Sequence, residues 1–307
     1  MKLSVVIPVN NGAGCLGRCL ESILASSAAA DGSVALELLV VDDASTDATP
    51  CVVERFRQRL PGVVVVRHEA NLGVGEARNA GLRRATGEWV AWVDADDEVE
   101  PEWFSRMTQT LQTGDPDVLA FDATAVWDGG GGRYPVVYGR SAGLVDARRF
   151  ALDVMGASVA GARLWNRVFR RRLIEGLEFG GRSFEDYRFQ VEALKRARSV
   201  LYLPERLYIY HRGANGLSQY VEPKQCLEAL LALARDADAE PDADFHRAQV
   251  RGVAIMAADF LRHADLSGLP DAACLRRWVR RAWPILMREP DVGWRLRAKA
   301  FLAGMGL

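Results

Sequence analysis

The 307-residue sequence lacks an excess of either charge. Its 39 lysines and arginines meet 40 aspartates and glutamates, for a net charge of −1. Proteins that mainly grip nucleic acid carry a basic excess, so nucleic acid is not an expected partner. Cysteine is scarce, and the five present (Cys15, Cys19, Cys51, Cys226 and Cys274) are scattered and odd in number. No second Cys/His pair at zinc-ligand spacing accompanies Cys15 and Cys19. They read as reduced, small apolar groups, which suits a reducing compartment. Long apolar runs are also missing. The opening run Leu3 to Val9 is broken by Pro8 and followed by Asn10 and Asn11, so it reads as a strand and not as a secretory signal. Nothing approaches the ~20 apolar residues that a membrane span needs. A cytoplasmic protein is expected. A GxxxxGK[ST] phosphate loop is absent too.

What is present is ordinary globular composition, 49% hydrophobic and 26% charged. The length is enough for one large domain and a smaller extension. Strand and helix signals alternate through the first hundred residues: strands over 3–9, 36–41, 63–66 and 89–93, with helices over 16–26, 49–60 and 75–85 between them. That alternation predicts an α/β fold with a mostly parallel sheet flanked by helices. Ligands of such sheets gather at the carboxyl ends of the strands, which here carry Asn10, Asp42, Asp43 and Asp94. Beyond residue 101 the pattern changes. A helix is expected near 101–113, then a hairpin from 118–127 and 134–138 around Gly129–Gly132, a helix over 184–196 and a strand over 200–210. From Glu222 onward the chain reads as helical, with Asp236 to Asp244 as an acidic, solvated loop.

Four segments carry candidate chemistry. Asp94-Ala95-Asp96-Asp97 follows a buried strand. Its carboxylates repel one another and need solvent or a cation, and a hard divalent ion shared with substrate phosphates is one solution. Asp42 and Asp43 end another strand, where a carboxylate can accept from a nucleobase N–H or a ribose hydroxyl, while Ser45, Thr46 or Asp47 can cap the next helix. In Asn71-Leu72-Gly73-Val74-Gly75-Glu76-Ala77-Arg78, the glycines permit a tight turn before a helix. Arg78 there suits a diphosphate or a base carbonyl. Phe184-Glu185-Asp186-Tyr187 opens a late helix, where the acids either favour the helix dipole or supply a general base. A competing pattern, Gly12-Ala13-Gly14-Cys15-Leu16-Gly17, matches the dinucleotide GxGxxG and would suit an NAD-dependent oxidoreductase. Pro8-Val9-Asn10-Asn11 stands between strand and glycines, however, and the carboxylates at 94, 96 and 97 would repel a metal-free pyrophosphate.

Taken in order, SVVIPVNN, VVDDASTDAT, NLGVGEARNAGL, GEWVAWVDADD, WNRVFRRRLI, FEDYRF and YHRGANGLS resemble the family 2 glycosyltransferases, particularly bacterial enzymes of capsule, exopolysaccharide and lipopolysaccharide synthesis. The resemblance spans about residues 3–220. It implies a GT-A-type, Rossmann-like domain over 1–220, with a nucleotide-binding half over 1–100, an acceptor-binding half over 101–220, and a helical extension over 221–307. It also implies an inverting transfer from a nucleotide-sugar, usually UDP-linked, to a carbohydrate or lipid-linked saccharide acceptor. By position, Pro8 and Asn10 border the nucleotide and Asp42 or Asp43 bonds the base. Arg78 and the Asn71–Gly73 turn support base and phosphates. Asp94, with Ala95 beside it, meets ribose or metal, and Asp96 ligates Mn²⁺ or Mg²⁺. Asp186, beside Glu185, becomes the base, and Arg167 neutralises diphosphate. His211 stands near a further metal-ligand position, with Gly213 close to the usual slot. Asn10 replaces the Tyr that packs on the base in many relatives. A catalytically inactive, carbohydrate- or partner-binding relative is the second reading. The basic, Trp-bearing tail over 275–307 fits either a packed helical subdomain or peripheral contact with an anionic membrane at its inner face.

Overall fold

The computed structural model describes residues 1–28, 34–59, 62–127, 130–156, 163–181, 183–213, 222–289 and 292–306. Strands β1 (Lys2–Val9), β2 (Ala35–Asp42), β3 (Val64–Arg67) and β4 (Trp89–Trp92) alternate with helices α1 (Leu16–Ala28), α2 (Thr49–Arg59) and α3 (Val74–Arg84). These four strands are mutually parallel in the order β3-β2-β1-β4. Because both faces of such a sheet are covered by helices, β1 and β2 are apolar almost throughout. Successive side chains still point to opposite faces. Val6, Leu39, Val41, Val90 and Trp92 enter one core. Val5, Ile7, Leu38, Val40, Trp89 and Ala91 enter the other, beneath α1.

The second half departs from the parallel pattern. It contains β5 (Glu98–Val99), α4 (Trp103–Gly114), β6 (Val118–Trp127), β7 (Arg133–Val136), β8 (Gly143–Asp146), α5 (Ala147–Gly156), β9 (Arg167–Arg170), α6 (Glu185–Arg196) and β10 (Ser199–Arg212). β9 inserts antiparallel between β4 and β6, so a late segment joins the two halves of one sheet in the order β3-β2-β1-β4-β9-β6-β10-β5. β6 and β10 run parallel, and β7 folds back on β6 as the expected hairpin. The start of its tip, residues 128–129, lies outside the described residues, as does the YHRGANGLS segment beyond Gly213. β5, β8, α5 and β9 were not legible as elements beforehand, since β5 is two residues long and β9 is arginine-rich.

Helices α7 (Pro223–Ala239), α8 (Ala243–His263), α9 (Ala272–Arg288) and α10 (Trp294–Met305) complete the chain. They do not form a separate core: Leu230, Ala254, Leu275 and Leu286 belong to the same buried cluster as Phe150, Phe189 and Trp92. The acidic stretch expected as a solvated loop is mostly structured. Asp236 and Asp238 lie in α7, and Asp238 accepts from the Trp278 indole and pairs with Arg281. Asp242 caps α8 by accepting from the Asp244 and Phe245 amides. A carboxylate at a helix N-terminus satisfies amides that have no intrahelical partner.

Candidate active site

The first strand end is built by side chains that stand in for loop backbone. Asn10 Nδ2 donates to the Asp43 carbonyl at 2.7 Å. The Asn11, Gly12 and Ala13 amides donate to Ser45 Oγ, Thr49 Oγ1 and Asp47 Oδ2 at 2.9, 2.9 and 3.0 Å. The glycine-rich loop therefore spends its amides inside the protein, where a dinucleotide fingerprint would turn them toward a pyrophosphate. Asp47 also accepts from the Thr49 amide at the start of α2.

Asp42 and Asp43 are both 2% exposed. Asp42 accepts from the Ser45 amide and lies 3.4 Å from Arg67 Nε. Asp43 accepts from the Leu72 and Gly73 amides at 2.9 and 2.8 Å and lies 2.7 Å from His68 Nδ1. It thereby ties the Asn71–Gly73 turn to the end of β2. Gly73, with φ at +93°, caps α3 in a conformation that side chains disfavour. A Cβ on Gly75 would stand 2.9 Å from the Gly181 carbonyl, so its absence lets α3 lie against the 179–185 segment. Asn79 secures the same approach, exchanging hydrogen bonds of 3.0 and 2.8 Å with the Phe179 backbone.

That approach carries Arg78 to the centre of the site. It is 6% exposed, donates to Glu185 Oε1 at 2.5 Å and to Asp94 Oδ1 at 3.1 Å, and lies over the Phe179 ring. Burial works against its charge, but Asp94, Glu185 and Asp186 outweigh that and raise its pKa. Asp94 and Asp96 remain half-buried at the end of β4. Asp97 points inward instead, accepting from the Tyr208 hydroxyl at 2.8 Å and the His211 amide at 2.7 Å. Burial and the Asp94 and Asp96 carboxylates push its pKa well above the ordinary carboxylate range. The Tyr208 hydroxyl also accepts from the Asp94 amide at 3.1 Å, which anchors the whole acidic turn to β10.

Pro8, Arg78, Asp94, Ala95, Asp96, Asp186 and His211 line one cavity of about 680 Å³. Five separate segments of the sequence thus meet there. Burial, the neighbouring Glu185 and the nearby Asp94 push the Asp186 carboxyl up to about 7, although Arg78 and the Tyr187 amide pull the other way. His211 Nε2 lies 2.8 Å from Glu98 Oε1. Asn10, Asp42, Asp43, Asn71 and Gly73 do not line this cavity; Asp42 and Asp43 instead meet Arg67 and His68, which line a smaller depression of about 370 Å³ with residues 44–46 and 69. Arg167 is not brought to the cavity either. It is fully buried, and its guanidinium is taken by the Arg163 carbonyl, Gln190 and Tyr138. It stands behind Asp186, whose carbonyl accepts from the same Gln190 at 3.1 Å.

Trp127, Arg163, Trp165, Tyr210 and Arg212 also line the cavity and were missed as site residues. Tyr210 and Arg212 stand two apart on one strand, and Arg163 and Trp165 two apart in a basic, aromatic segment. Spacing alone could not tell that the two pairs meet. Among the described residues no group of three or more His, Cys, Asp and Glu is gathered to hold a metal ion. The donor set still fits a hard divalent cation that takes one or two carboxylates and completes its shell with phosphates and water. Asp94 and Asp96 line a roomy cavity, and their carboxylates add to burial in raising the pKa of Asp97 beside them.

Known proteins bear on this arrangement. The family model described as glycosyl transferase family 2 matches residues 4–175. The chain is 29% identical over 224 residues to the uncharacterized glycosyltransferase YibD of Escherichia coli, covering 71% of this chain and 63% of that protein. It is 30% identical over 224 residues to the succinoglycan biosynthesis protein ExoO of Rhizobium meliloti, covering 71% and 62%. The chain thus spans somewhat less than two thirds of these relatives. Staphylococcus aureus TarS, residues 1–349, superposes with a TM-score of 0.68 at 22% identity, covering all of this chain and 88% of that one. The Pyrobaculum calidifontis mannosyltransferase PcManGT, solved with GDP-Man and Mn²⁺, superposes at 0.56 and 20% identity, covering 99% and 86%. With the GT-A-type fold shared and over half the sequence matched by the family model, the chain belongs to glycosyl transferase family 2.

Proposed function

We propose that this protein is an inverting glycosyltransferase, dependent on a divalent metal, that moves a sugar from a UDP-linked donor to an acceptor hydroxyl in surface polysaccharide or glycolipid synthesis. The observation that carries the reading is the convergence of Arg78, Asp94, Asp96 and Asp186 on one cavity. Residues 1–100 serve as the nucleotide half, 101–220 as the acceptor half and 221–307 as a helical extension. A TarS structure holding UDP-GlcNAc, 24% identical to this chain, and the Mn²⁺ complex of PcManGT support the donor and metal classes.

Asp186 takes the proton from the acceptor hydroxyl, whose oxygen attacks the anomeric carbon while the bond to the nucleoside diphosphate breaks. A hydroxyl is a weak nucleophile without a base within hydrogen-bond reach. A base raised to about 7 is poised for that transfer near neutral pH. Arg78 holds Glu185 and Asp94 in place and offers positive charge beside the departing diphosphate. Asp96 and Asp94 would hold Mn²⁺ or Mg²⁺, which would stabilise negative charge on the leaving group. A Glu98 carboxylate on one ring nitrogen is the arrangement that orients an imidazole ligand through the other, which suits His211 as a third metal contact. Asp42 and Asp43, at the adjoining strand end, serve the base side through the Asn71–Gly73 turn.

Among the described residues no helix is long and apolar enough to cross a membrane. Trp294, Phe301 and Met305 are exposed on one face of α10, with Arg295 and Lys299 also exposed on that helix. This supports peripheral contact with an anionic membrane surface carrying a lipid-linked acceptor. The test of the central reading is UDP release from UDP-GlcNAc with Mn²⁺ or with EDTA, in the parent and in Asp186→Asn. Release by the parent that needs Mn²⁺ and falls in the variant is expected. A parent that binds saccharide but releases UDP from no UDP-sugar would instead make it an inactive, carbohydrate-binding relative.

A further inference from the structure

One wall of the cavity is a ladder of alternating aromatic rings and guanidinium groups. Trp165 stacks on Tyr208 with ring centroids 4.4 Å apart and planes 7° apart, and on Tyr210 at 5.4 Å. The Arg163 guanidinium lies 4.3 Å above the Tyr210 ring and 5.6 Å from Trp165. Beyond it, Arg212 lies 4.8 Å above Trp127 and 5.9 Å from Tyr210. The register explains this line. Tyr208, Tyr210 and Arg212 project from the same face of β10, and Arg212 pairs with Trp127 on the parallel neighbour β6.

The ladder has an inner and an outer end. At the inner end the Tyr208 hydroxyl is bonded to Asp97 and the Asp94 amide, next to the acidic turn. At the outer end Trp127 is 45% exposed, where β6 meets the tip of the β6–β7 hairpin. It therefore leads from the transfer site outward across the second half of the sheet.

Its two cations have no carboxylate partner among the described residues, and Arg163 Nε is buried without a hydrogen bond. Most other arginines at this end are spent: Arg18 on Glu98, Arg78 on Asp94 and Glu185, and Arg133 near Glu100. Aromatic rings occupy the faces of a guanidinium, but its N–H donors lie in its plane and point past the ring edges. That planar fork matches a carboxylate or a phosphate. At the outer end, the half-exposed Trp127 ring suits the C–H face of a sugar or polyol unit.

We propose that the Trp127–Arg212–Tyr210–Arg163–Trp165 ladder is the acceptor subsite and that the acceptor is an anionic saccharide or polyol chain. A ring or stem of that chain packs on Trp127 at the outer end, and its acidic groups sit in the two guanidinium forks. The proposal rests on the glycosyltransferase reading of the adjoining cavity, and the experiment separates the two.

Binding would be measured by calorimetry in the presence of UDP and Mn²⁺ with three probes of similar length: an oligogalacturonate, a glycerol-phosphate oligomer and a neutral malto-oligosaccharide. The parent, Arg212→Gln and the Arg163→Gln/Arg212→Gln double variant are compared, with UDP affinity measured separately for each. At least one anionic probe should bind the parent more tightly than the neutral one. Each lost ionic contact should weaken it by about tenfold, with UDP affinity retained. Tighter binding of the uronate assigns carboxylates as the recognised groups, and tighter binding of the other anion assigns phosphodiesters. Equal binding of all three probes, no anionic binding, or indifference to Arg212→Gln overturns the proposal. Loss of UDP affinity in a folded variant also overturns it, because the guanidinium groups would then serve the donor. A parent that binds the anion but not UDP sinks the glycosyltransferase reading and leaves the ladder as a saccharide site. Arg212 is exposed, so its single substitution keeps the test readable if the double variant misfolds.

Discussion

At the scale of single residues, the site depends on a balance of buried charge. Arg78 is shared between Glu185 and Asp94, with Asp186 adding to its field. Removing one partner of such a group leaves the others uncompensated, which costs more than the contact itself. Arg78→Ala is therefore expected to abolish UDP release and also lower stability, whereas Arg78→Lys keeps the charge but not the two-way fork. Thermal denaturation of both variants checks the split. Asp186→Asn should lower turnover by roughly 100- to 10,000-fold, the usual worth of a positioned base, with UDP affinity unchanged in a titration. The acid dissociation of Asp186 also sets a pH limb. A base works only without its proton, and burial holds that proton on up to about 7. The log of kcat/KM should accordingly climb as pH rises toward about 7 and level off above it. A flat profile from pH 5 to 8 would remove Asp186 from the role.

At the scale of elements, α3 is the part that must sit correctly. Its N-terminus is held by the Asp43 carboxylate through two turn amides, and its body by Asn79 against Phe179. Asn79→Ala leaves buried backbone groups of Phe179 without partners, a loss of about 1–3 kcal/mol per group. The urea midpoint should fall accordingly, and UDP affinity should fall with it, because Arg78 rides on the same helix. Gly75→Val should place side-chain atoms against the Gly181 carbonyl and push α3 off the 179–185 segment. A variant that keeps parental UDP affinity would show that this contact does not position the site.

At the scale of the whole molecule, the helical extension and the sheet share one core. Leu230, Leu275 and Leu286 pack in the cluster that contains Trp92 and Phe189. Burial of each such side chain contributes about 1.5–3 kcal/mol, and small domains hold only about 5–15 kcal/mol in reserve. A chain ending at residue 222 is expected to lose fixed tertiary packing, seen as a collapsed near-ultraviolet circular dichroism signal. A truncated protein that keeps that signal and binds UDP would mark the extension as an accessory.

Much of the first hundred residues was legible because their cues are local. A β-branched run ending in acids is a strand end in any context, so β1, β2 and β4 and the positions of Asp42, Asp43 and Asp94 followed from the chain itself. Asp186 was legible only as one of two acids opening a helix. The family resemblance singled it out over Glu185, and the structure adds that Glu185 is spent on Arg78. One more arginine in WNRVFRRRLI has no local sign that it lies inside, and Arg167 is bonded there to Tyr138 and Gln190.

The sequence by itself determined which residues can carry charge at the strand ends, the α/β alternation of the first hundred residues, and the order of motifs that marks the family. Only the tertiary structure decided that β9 closes the two halves into one sheet, that Arg78 meets an acid 107 positions away, and that arginines and aromatics from 127, 163–165 and 210–212 form one wall. The physical reason is range. Backbone preference and hydrophobic period act over a few neighbours, whereas the partner of a buried charge is chosen by packing between segments far apart in the chain.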